Sequence, residues 1–383
     1  MIKYIGLRAV QIVFTFFAFM TLIYFILESQ PGNIVDFYTN DPDVTAEQKA
    51  AMRRAFGYDR PLYVQYLSYL GNFLSGNLGV SLSNYPRPVV DIIVERAPRT
   101  IVLFVTATVV SFTFGFTMGK IVAWRRGKLT EYVVTFGGVT LYTIFLPWFG
   151  LMMIWLFAFV LGWFPLGKFL DPVLWREAKF TSDDVFRPML LTGLLLVVAF
   201  IAAYFISRRM DPLKRGPTFW VGIVATLSVM LGAWALSPYA RYALDILHHL
   251  ALPVITLALV SFAGSMLLTR NSMLETLRED FILAARAKGL PEKVIRDKHA
   301  ARNAMLPVVT SFVFSLAFAI DGGVITETVF SWPGMGLTLI GAVTVKDIPL
   351  AIGALAFTGT MTLIAHLGAD ILYAYLDPRI RYT

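Results

Sequence analysis

A few polar features stand out in a chain of 383 residues that is 57% hydrophobic and only 15% charged. Asp321 falls late in an apolar run, beside Gly322 and Gly323, and Glu327 follows shortly after. An ionisable group in such surroundings is a candidate for function, because a charge in hydrocarbon is costly unless something pairs with it. Asp321 could meet an amino group or a hydroxyl of a solute, or it could pair with a neighbouring helix. His366 and Asp370 stand four apart and share one helical face, as a structural pair or as a proton relay. His248 and His249 are adjacent, so on a helix they diverge by about 100° and make a poor metal site. The segment Gly115-Phe116-Thr117-Met118-Gly119-Lys120-Ile121 resembles a phosphate loop only superficially. It has three residues between its glycines, and Ile follows the Lys where Ser or Thr must hold magnesium. It reads instead as a notch for close helix packing. No paired His, Asp or Glu cluster of the kind catalysis needs lies in an apolar run, and cysteine is absent. That excludes disulfides, thiolate metal sites and a cysteine nucleophile. No catalytic residue, cofactor-binding residue or metal ligand is therefore expected.

The most informative stretch is polar. Glu279-Asp280-Phe281-Ile282-Leu283-Ala284-Ala285-Arg286-Ala287-Lys288-Gly289, running on to Leu306-Pro307, lies between two segments apolar enough to cross a bilayer. Asp280 can cap a helix of about two turns, and Gly289 can take the left-handed conformation that ends it. Ala284, Ala285 and Ala287 would let a partner approach closely. Phe281 could fill a pocket in that partner, and Arg286 and Lys288 supply charge for steering. Pro291 suits the first turn of the next helix. The residues alone also fit an ordinary solvated loop.

The elements that must position these groups are membrane helices. A span needs about 20 apolar residues. Uncharged runs of that order occur at Ala9–Leu27, Thr100–Gly119, Tyr132–Gly167, Met189–Ser207, Gly216–Ala240, Leu250–Thr269, Ala304–Ile320 and Ile348–Ala365. The third is over-long, and Pro147 and Pro165 are expected to bend or end it. Eight spans follow. The run after Arg8 has no small-residue cleavage site behind it, so it reads as a retained helix and not a signal peptide. Lys and Arg cluster in alternate connections, at Lys3 and Arg8, at 125–128, at 208–215, at 270–302 and at Arg379 and Arg381. That alternation predicts both termini in the cytoplasm, and it accounts for the net charge of +8 without nucleic acid.

The long segment Glu28 to Arg99 is expected to be structured. Thr45 with Gln48 is a capping box, and Gly57 ends that helix. Asp59-Arg60-Pro61 opens a second helix that stops near Gly76. Its Tyr63, Tyr66, Tyr69 and Phe73 form one aromatic face, either at the membrane–water boundary or packed on the spans.

The polar stretch resembles the coupling loop of ABC importer permeases, and more narrowly that of the oligopeptide/dipeptide/nickel-type permeases. The matching residues are Asp280-Phe281, Ala285-Arg286-Ala287-Lys288-Gly289-Leu290, His299, Arg302-Asn303-Ala304 and Leu306-Pro307. Leu283 stands where the general signature has an acid, and the Gly-to-Pro distance is longer than in sugar-type permeases. Both departures are usual in the peptide branch. Tyr58-Asp59-Arg60-Pro61 with Gly76-Asn77-Leu78-Gly79-Val80-Ser81 is similar to the family's outer segment. Glu327-Thr328-Val329-Phe330-Ser331-Trp332-Pro333-Gly334 resembles its last outer loop, and Asp377-Pro378-Arg379-Ile380-Arg381-Tyr382 its C-terminal end. The resemblance covers about 1–165 and 245–383.

It implies an all-α polytopic membrane protein: a six-span type I importer core plus an extra two-helix hairpin. The expected divisions are 1–27, a first membrane helix; 28–99, an extracytoplasmic cap; 100–165, the second and third helices; 166–244, an inserted segment; and 245–383, containing the cytoplasmic coupling loop 271–306. The hairpin is either a peripheral packing element or a contact for a partner subunit. The resemblance also implies a multi-pass protein of the cell inner membrane that transports solute with a second homologous permease. Two ABC ATPase subunits would bind ATP and Mg, so this chain needs no cofactor, and an extracytoplasmic binding protein would deliver the solute. Asp280, Phe281, Ala284, Ala285, Arg286, Ala287, Lys288 and Gly289 would couple to the ATPases. Asp321 and Glu327 are candidates for the translocation path. Oligopeptides are the family's usual solute. Oligosaccharides on the same machinery and a proton-coupled secondary transporter remain alternatives, as does nickel.

Overall fold

The computed structural model describes residues 2–29, 59–210, 214–319 and 323–376, with the single positions 45, 47 and 50. The helix expected between Thr45 and Gly57 falls almost wholly outside these residues, as do Asp321 and the stretch Asp377–Tyr382. Among the described residues the fold is helical, with one isolated bridge between Val80 and Pro88. In chain order the helices are α1 (Ile2–Glu28), α2 (Leu62–Leu74), α3 (Val89–Trp124), α4 (Leu129–Thr143), α5 (Leu146–Val160) and α6 (Pro172–Trp175). Next come α7 (Ser182–Arg208), α8 (Arg215–Leu236), α9 (Ala240–Thr276), α10 (Asp280–Ala287) and α11 (Glu292–Phe318). The last three are α12 (Val324–Val329), α13 (Met335–Thr344) and α14 (Ile348–Leu376).

Seven helices are long and apolar enough to cross a membrane, and the pair α4–α5 makes an eighth if it is one broken span. The pair bends by 107°. The cause is local. Ile144 is extended (φ −69°, ψ 143°), and Pro147 sits in the first turn of α5, where a missing N–H costs nothing. The expected bend at Pro147 is thus a helix end followed by a restart. Seven of the expected uncharged runs coincide with unbroken helices, and the third with this pair.

The described chain divides into two compact units, one made of 1–153 with 253–383 and the other of 154–252. The second encloses the segment 166–244. In the first, α1, α3, α13 and α14 share a core built on Tyr24, Ile93, Met335 and Leu350. The aromatic face of α2 packs against α1. Tyr66 and Tyr69 lie 5.4 Å from the Tyr24 ring, Phe73 lies 5.4 Å from Phe16, and the Tyr66 hydroxyl is 2.5 Å from that of Thr21. Only Tyr63 turns outward. Of the two readings of this face, packing on a span therefore describes Tyr66, Tyr69 and Phe73.

Asp347 is buried at the start of α14 and does two jobs. It accepts from the Leu350 N–H (3.2 Å), which caps the helix. It also accepts from the Ser81 hydroxyl (2.6 Å) and from the Ser83 N–H (2.9 Å) and hydroxyl (2.7 Å). The Gly79-Val80-Ser81 stretch is thereby tied to a residue more than 260 positions away.

In the second unit, α7 and α8 form an apolar hairpin around a basic turn. Thr181 opens α7 with a capping box to Asp184. Leu191, Leu195, Val198, Trp220, Val224 and Val229 are all exposed, so both helices are apolar on nearly every side, as a lipid-facing hairpin requires. One hydrogen bond joins them, from Trp234 Nε1 to the Thr192 hydroxyl (3.0 Å). The polar end of the unit is organised by Asp245, which accepts from Trp175 Nε1 (2.8 Å) and from the Asp171 N–H (3.0 Å), and lies 3.2 Å from His249. Trp175 and Phe180 pack edge-on against Tyr242 around it.

Asp245→Ala would leave the Trp175 and Asp171 donors unpaired, a loss of about 1–3 kcal/mol. Faster limited proteolysis between residues 161 and 181 is the expected readout, with Asp245→Asn intermediate. Unchanged cleavage in both variants would show that Asp245 does not hold this unit together.

Candidate functional site

The polar stretch folds as a helix of two turns with two unlike faces. α10 starts at Asp280, one residue earlier than the sequence suggested. Glu279 occupies the N-cap position without a side-chain cap, and Asp280 lies in the first turn, where a carboxylate favours the helix dipole. The C-terminal end closes as a Schellman motif. The Leu290 N–H reaches the Ala285 carbonyl (3.4 Å) and the Gly289 N–H reaches the Arg286 carbonyl (2.9 Å). Gly289 has φ +72° and nothing within 4 Å of a would-be Cβ. A side chain there would strain the backbone without meeting a neighbour.

Ile282 and Ala285 face inward and are almost fully buried. They join Met273 of α9, Ala123 of α3, and Ile295, Ala300, Ala301 and Ala304 of α11 in one apolar cluster. Burying Ile282 is worth about 1.5–3 kcal/mol, so α10 is fastened to the spans by its own core. Ala285 was expected to offer a partner close approach. It is turned away from the surface, because the two-turn helix needs one small residue against α9 and α11. The outward face is Phe281 (40% exposed), Leu283 (68%), Ala284 and Ala287, with Asp280, Arg286 and Lys288 at its rim. Leu283 was not among the expected site residues, and as a large exposed apolar group on a polar loop it is the addition the structure makes. Ion pairs brace the following helix, from Lys120 to Asp297 (3.7 Å), Arg296 to Asp297 (2.7 Å) and Arg286 to Glu292 (3.7 Å). On the same polar flank Glu131 of α4 is paired with Arg270 of α9 and accepts the Gly127 N–H (2.6 Å).

Of the two path candidates, Asp321 lies outside the described residues. Glu327 sits in α12, between two spans, and is fully buried. Its carboxyl accepts from the Thr100 hydroxyl (2.7 Å) and the Leu337 N–H (2.9 Å), the third residue of α13. Thr100 in turn accepts from the Met335 N–H (2.7 Å), and Trp332 Nε1 donates to the Arg99 carbonyl (3.1 Å). Glu327 therefore caps α13 from inside and is not turned toward an open space. Burial pushes its carboxyl above the ordinary range, against the opposing pull of the Leu337, Thr100 and Gly336 donors. His366 places Nδ1 2.8 Å from the Thr362 carbonyl of its own helix. The side chain of Asp370 lies outside the described set. His248 Nε2 lies 2.8 Å from the Trp163 carbonyl. Among the described residues no group of three His, Asp or Glu could hold a metal ion.

A cavity of about 240 Å³ opens between α3, α9 and α11. Among the described residues its polar lining is serine and threonine. Nothing in a serine's spacing marks it as facing a cavity and not lipid, which is why the sequence did not reveal it.

Comparison with known proteins places this geometry. Residues 111–382 match the family model described as binding-protein-dependent transport system inner membrane component. The chain is 33% identical over 382 residues to the di/tripeptide transport system permease protein DppB of Pseudomonas aeruginosa, covering 100% of this chain and 99% of that one. It is 30% identical over 382 residues to the dipeptide transport system permease protein DppB of Escherichia coli K12, with the same coverage. It is 29% identical over 361 residues to the oligopeptide transport system permease protein AppB of Bacillus subtilis, covering 94% and 93%.

The raised Glu327 pKa carries a pH dependence. A carboxyl raised in the folded state contributes stability below its ordinary range and loses it as pH climbs through the raised value. The melting temperature of the detergent-purified protein should therefore rise on acidification from neutral pH. Glu327→Gln should flatten that rise while keeping the acceptor, and Glu327→Ala should melt lower at every pH. A wild-type melting temperature that falls on acidification, with Glu327→Gln unchanged, would remove the carboxyl from this role.

Proposed function

Since the chain belongs to the inner-membrane components of binding-protein-dependent transport systems, the ABC importer permeases, we propose that it forms with a second homologous permease the import path for short peptides. It is a multi-pass protein of the cell inner membrane and a transport subunit. ATP and Mg bind elsewhere in the assembly, on two ABC ATPase subunits docked at the cytoplasmic face. An extracytoplasmic binding protein supplies the solute. The peptide class is supported by the relatives, which include di/tripeptide, dipeptide and oligopeptide permeases.

The observation that carries the reading is the two-faced α10. Its inner face is welded to α3, α9 and α11 through Ile282 and Ala285, and its outer face leaves Phe281, Leu283, Ala284 and Ala287 uncovered. A helix so built can receive a push on one side and pass it to the spans on the other. The basic residues around it, Arg278, Arg286, Lys288, Lys293 and Lys298, favour the cytoplasmic side. With α4–α5 counted as one span, the connections at 125–128, 208–215 and 277–291 fall on a common side, as do both termini. The mechanism then follows from rigid-body motion. When the ATPase subunits close on ATP, α10 moves with the groove that holds it, and the fused helices carry the displacement into the bilayer. Access to the path changes sides, and hydrolysis resets it.

Phe281→Ala and Leu283→Arg should each weaken capture of the ATPase subunits by the purified permease pair by about 30-fold, as loss of about 2 kcal/mol at an interface centre implies. Peptide-stimulated ATP hydrolysis should fall in parallel, with expression unchanged. Ala285→Leu should behave differently. It overfills the inner cluster at a cost of about 1–3 kcal/mol, read as a lower melting temperature. Undiminished ATPase capture in both outer-face variants would refute docking on α10.

A further inference from the structure

We infer that the cavity between α3, α9 and α11 faces the transported solute and takes uncharged hydrogen-bonding groups, the amide backbone of a short peptide being the chemistry that fits. The inference rests on the peptide-permease reading and names the site within it. The cavity measures about 240 Å³, far more than the ~10–15 Å³ that one water requires in this measure. It is smaller than the ~300–1,000 Å³ of a complete ligand site. Its mouth lies at Ser261 and Gly264 of α9, both exposed, and the Gly264 backbone meets nothing within 4 Å of a would-be Cβ. A site of this size with an open side suits one half of a path whose other half belongs to the second permease.

Several hydroxyls elsewhere in the spans are satisfied by their own helix. Thr113, Thr117, Thr140 and Thr310 each return their hydroxyl to a carbonyl four residues back. That is the usual way for a membrane helix to satisfy such a group. Thr108 and Ser111 on α3, Ser261 on α9, and Ser311 and Ser315 on α11 all line the cavity, and none of these five side-chain hydroxyls has a hydrogen-bond partner among the described residues. Ser111 is 1% exposed and its Oγ is covered, with no partner among the described residues, so this hydroxyl does not open onto the space. An unmade hydrogen bond in such a place is costly. Thr108, Ser261, Ser311 and Ser315 are not covered in this way, and their hydroxyls converge on one space that supplies the partner, as water or as solute. Among the described residues no Asp, Glu, Lys or Arg lines the cavity. Hydroxyls both donate and accept, so they can match the N–H and C=O of any peptide bond without regard to the side chains. A carboxylate or ammonium would instead select by charge.

The chain contains no cysteine, so single cysteines can be introduced into the native sequence. Ser261→Cys and Ser311→Cys would be made in the intact complex with its ATPases and binding protein, with Leu195→Cys on α7 as a lipid-facing control. Each would be treated with a membrane-impermeant cationic methanethiosulfonate, and modification of this chain followed by mass spectrometry. Both cavity cysteines should label and Leu195→Cys should not. Tripeptide with binding protein, at about ten times its dissociation constant, should slow labelling about tenfold. Absence of labelling in every nucleotide state, or labelling at a rate indifferent to peptide, would overturn the cavity assignment while peptide-stimulated ATP hydrolysis left the permease reading standing. Failure of any peptide to stimulate hydrolysis would remove both.

Discussion

A helix that ends in apolar surroundings leaves backbone N–H groups that water cannot reach, and this fold depends on carboxylates brought to them from a distance. Glu327 serves α13, and Asp347 serves α14. Each also draws in a second partner from far along the chain, Thr100 on α3 for the one and Ser81 with Ser83 for the other. The two carboxylates thus close the same end of the first unit twice, and they hold α3, α13 and α14 in register. Neither is free for solute chemistry in this arrangement. An isolated buried charge would be prohibitive, and the converging donors are what make the groups tolerable.

At the opposite end of the first unit a short helix is held by packing. α10 is only eight residues long, too short to stand alone. It persists because Ile282 and Ala285 lock into a cluster of mostly small side chains on three spans. The cost is that its outward face remains apolar and uncovered at Phe281 and Leu283. Stability and exposure come from one helix read on two sides.

Much of this was legible in the sequence because membrane helices announce themselves by length and charge pattern. Seven spans came directly from uncharged runs, and the third run's excess length with Pro147 foretold a break. The short helix α10 was placed within one residue, because Gly289 ends it in a left-handed conformation. Three things were hidden. Ala284, Ala285 and Ala287 are the same residue type, and only packing says that Ala285 points inward. Glu327 looked like a path residue because its partners, Thr100 and the α13 backbone, are invisible until the chain folds. The hydroxyls of Ser111, Ser261, Ser311 and Ser315 gave no signal, since serine in a span is ordinarily satisfied by its own backbone.

The glycine pair that mimics a phosphate loop turns out to matter mechanically. A Cβ at Gly115 would fall 1.9 Å from the Ser265 hydroxyl, and one at Gly119 would fall 2.6 Å from the Met266 carbonyl. α3 and α9 therefore meet closely, with the short Ser265 and Thr269 side chains and the Phe262 and Met266 carbonyls set against the two glycines. α3 is 36 residues long, about 54 Å at 1.5 Å per residue. At that seam α3 cannot move far without carrying α9 with it. A displacement of α3 near the α10 end would therefore be shared with α9, and any softening of the seam would show as slippage between the two helices.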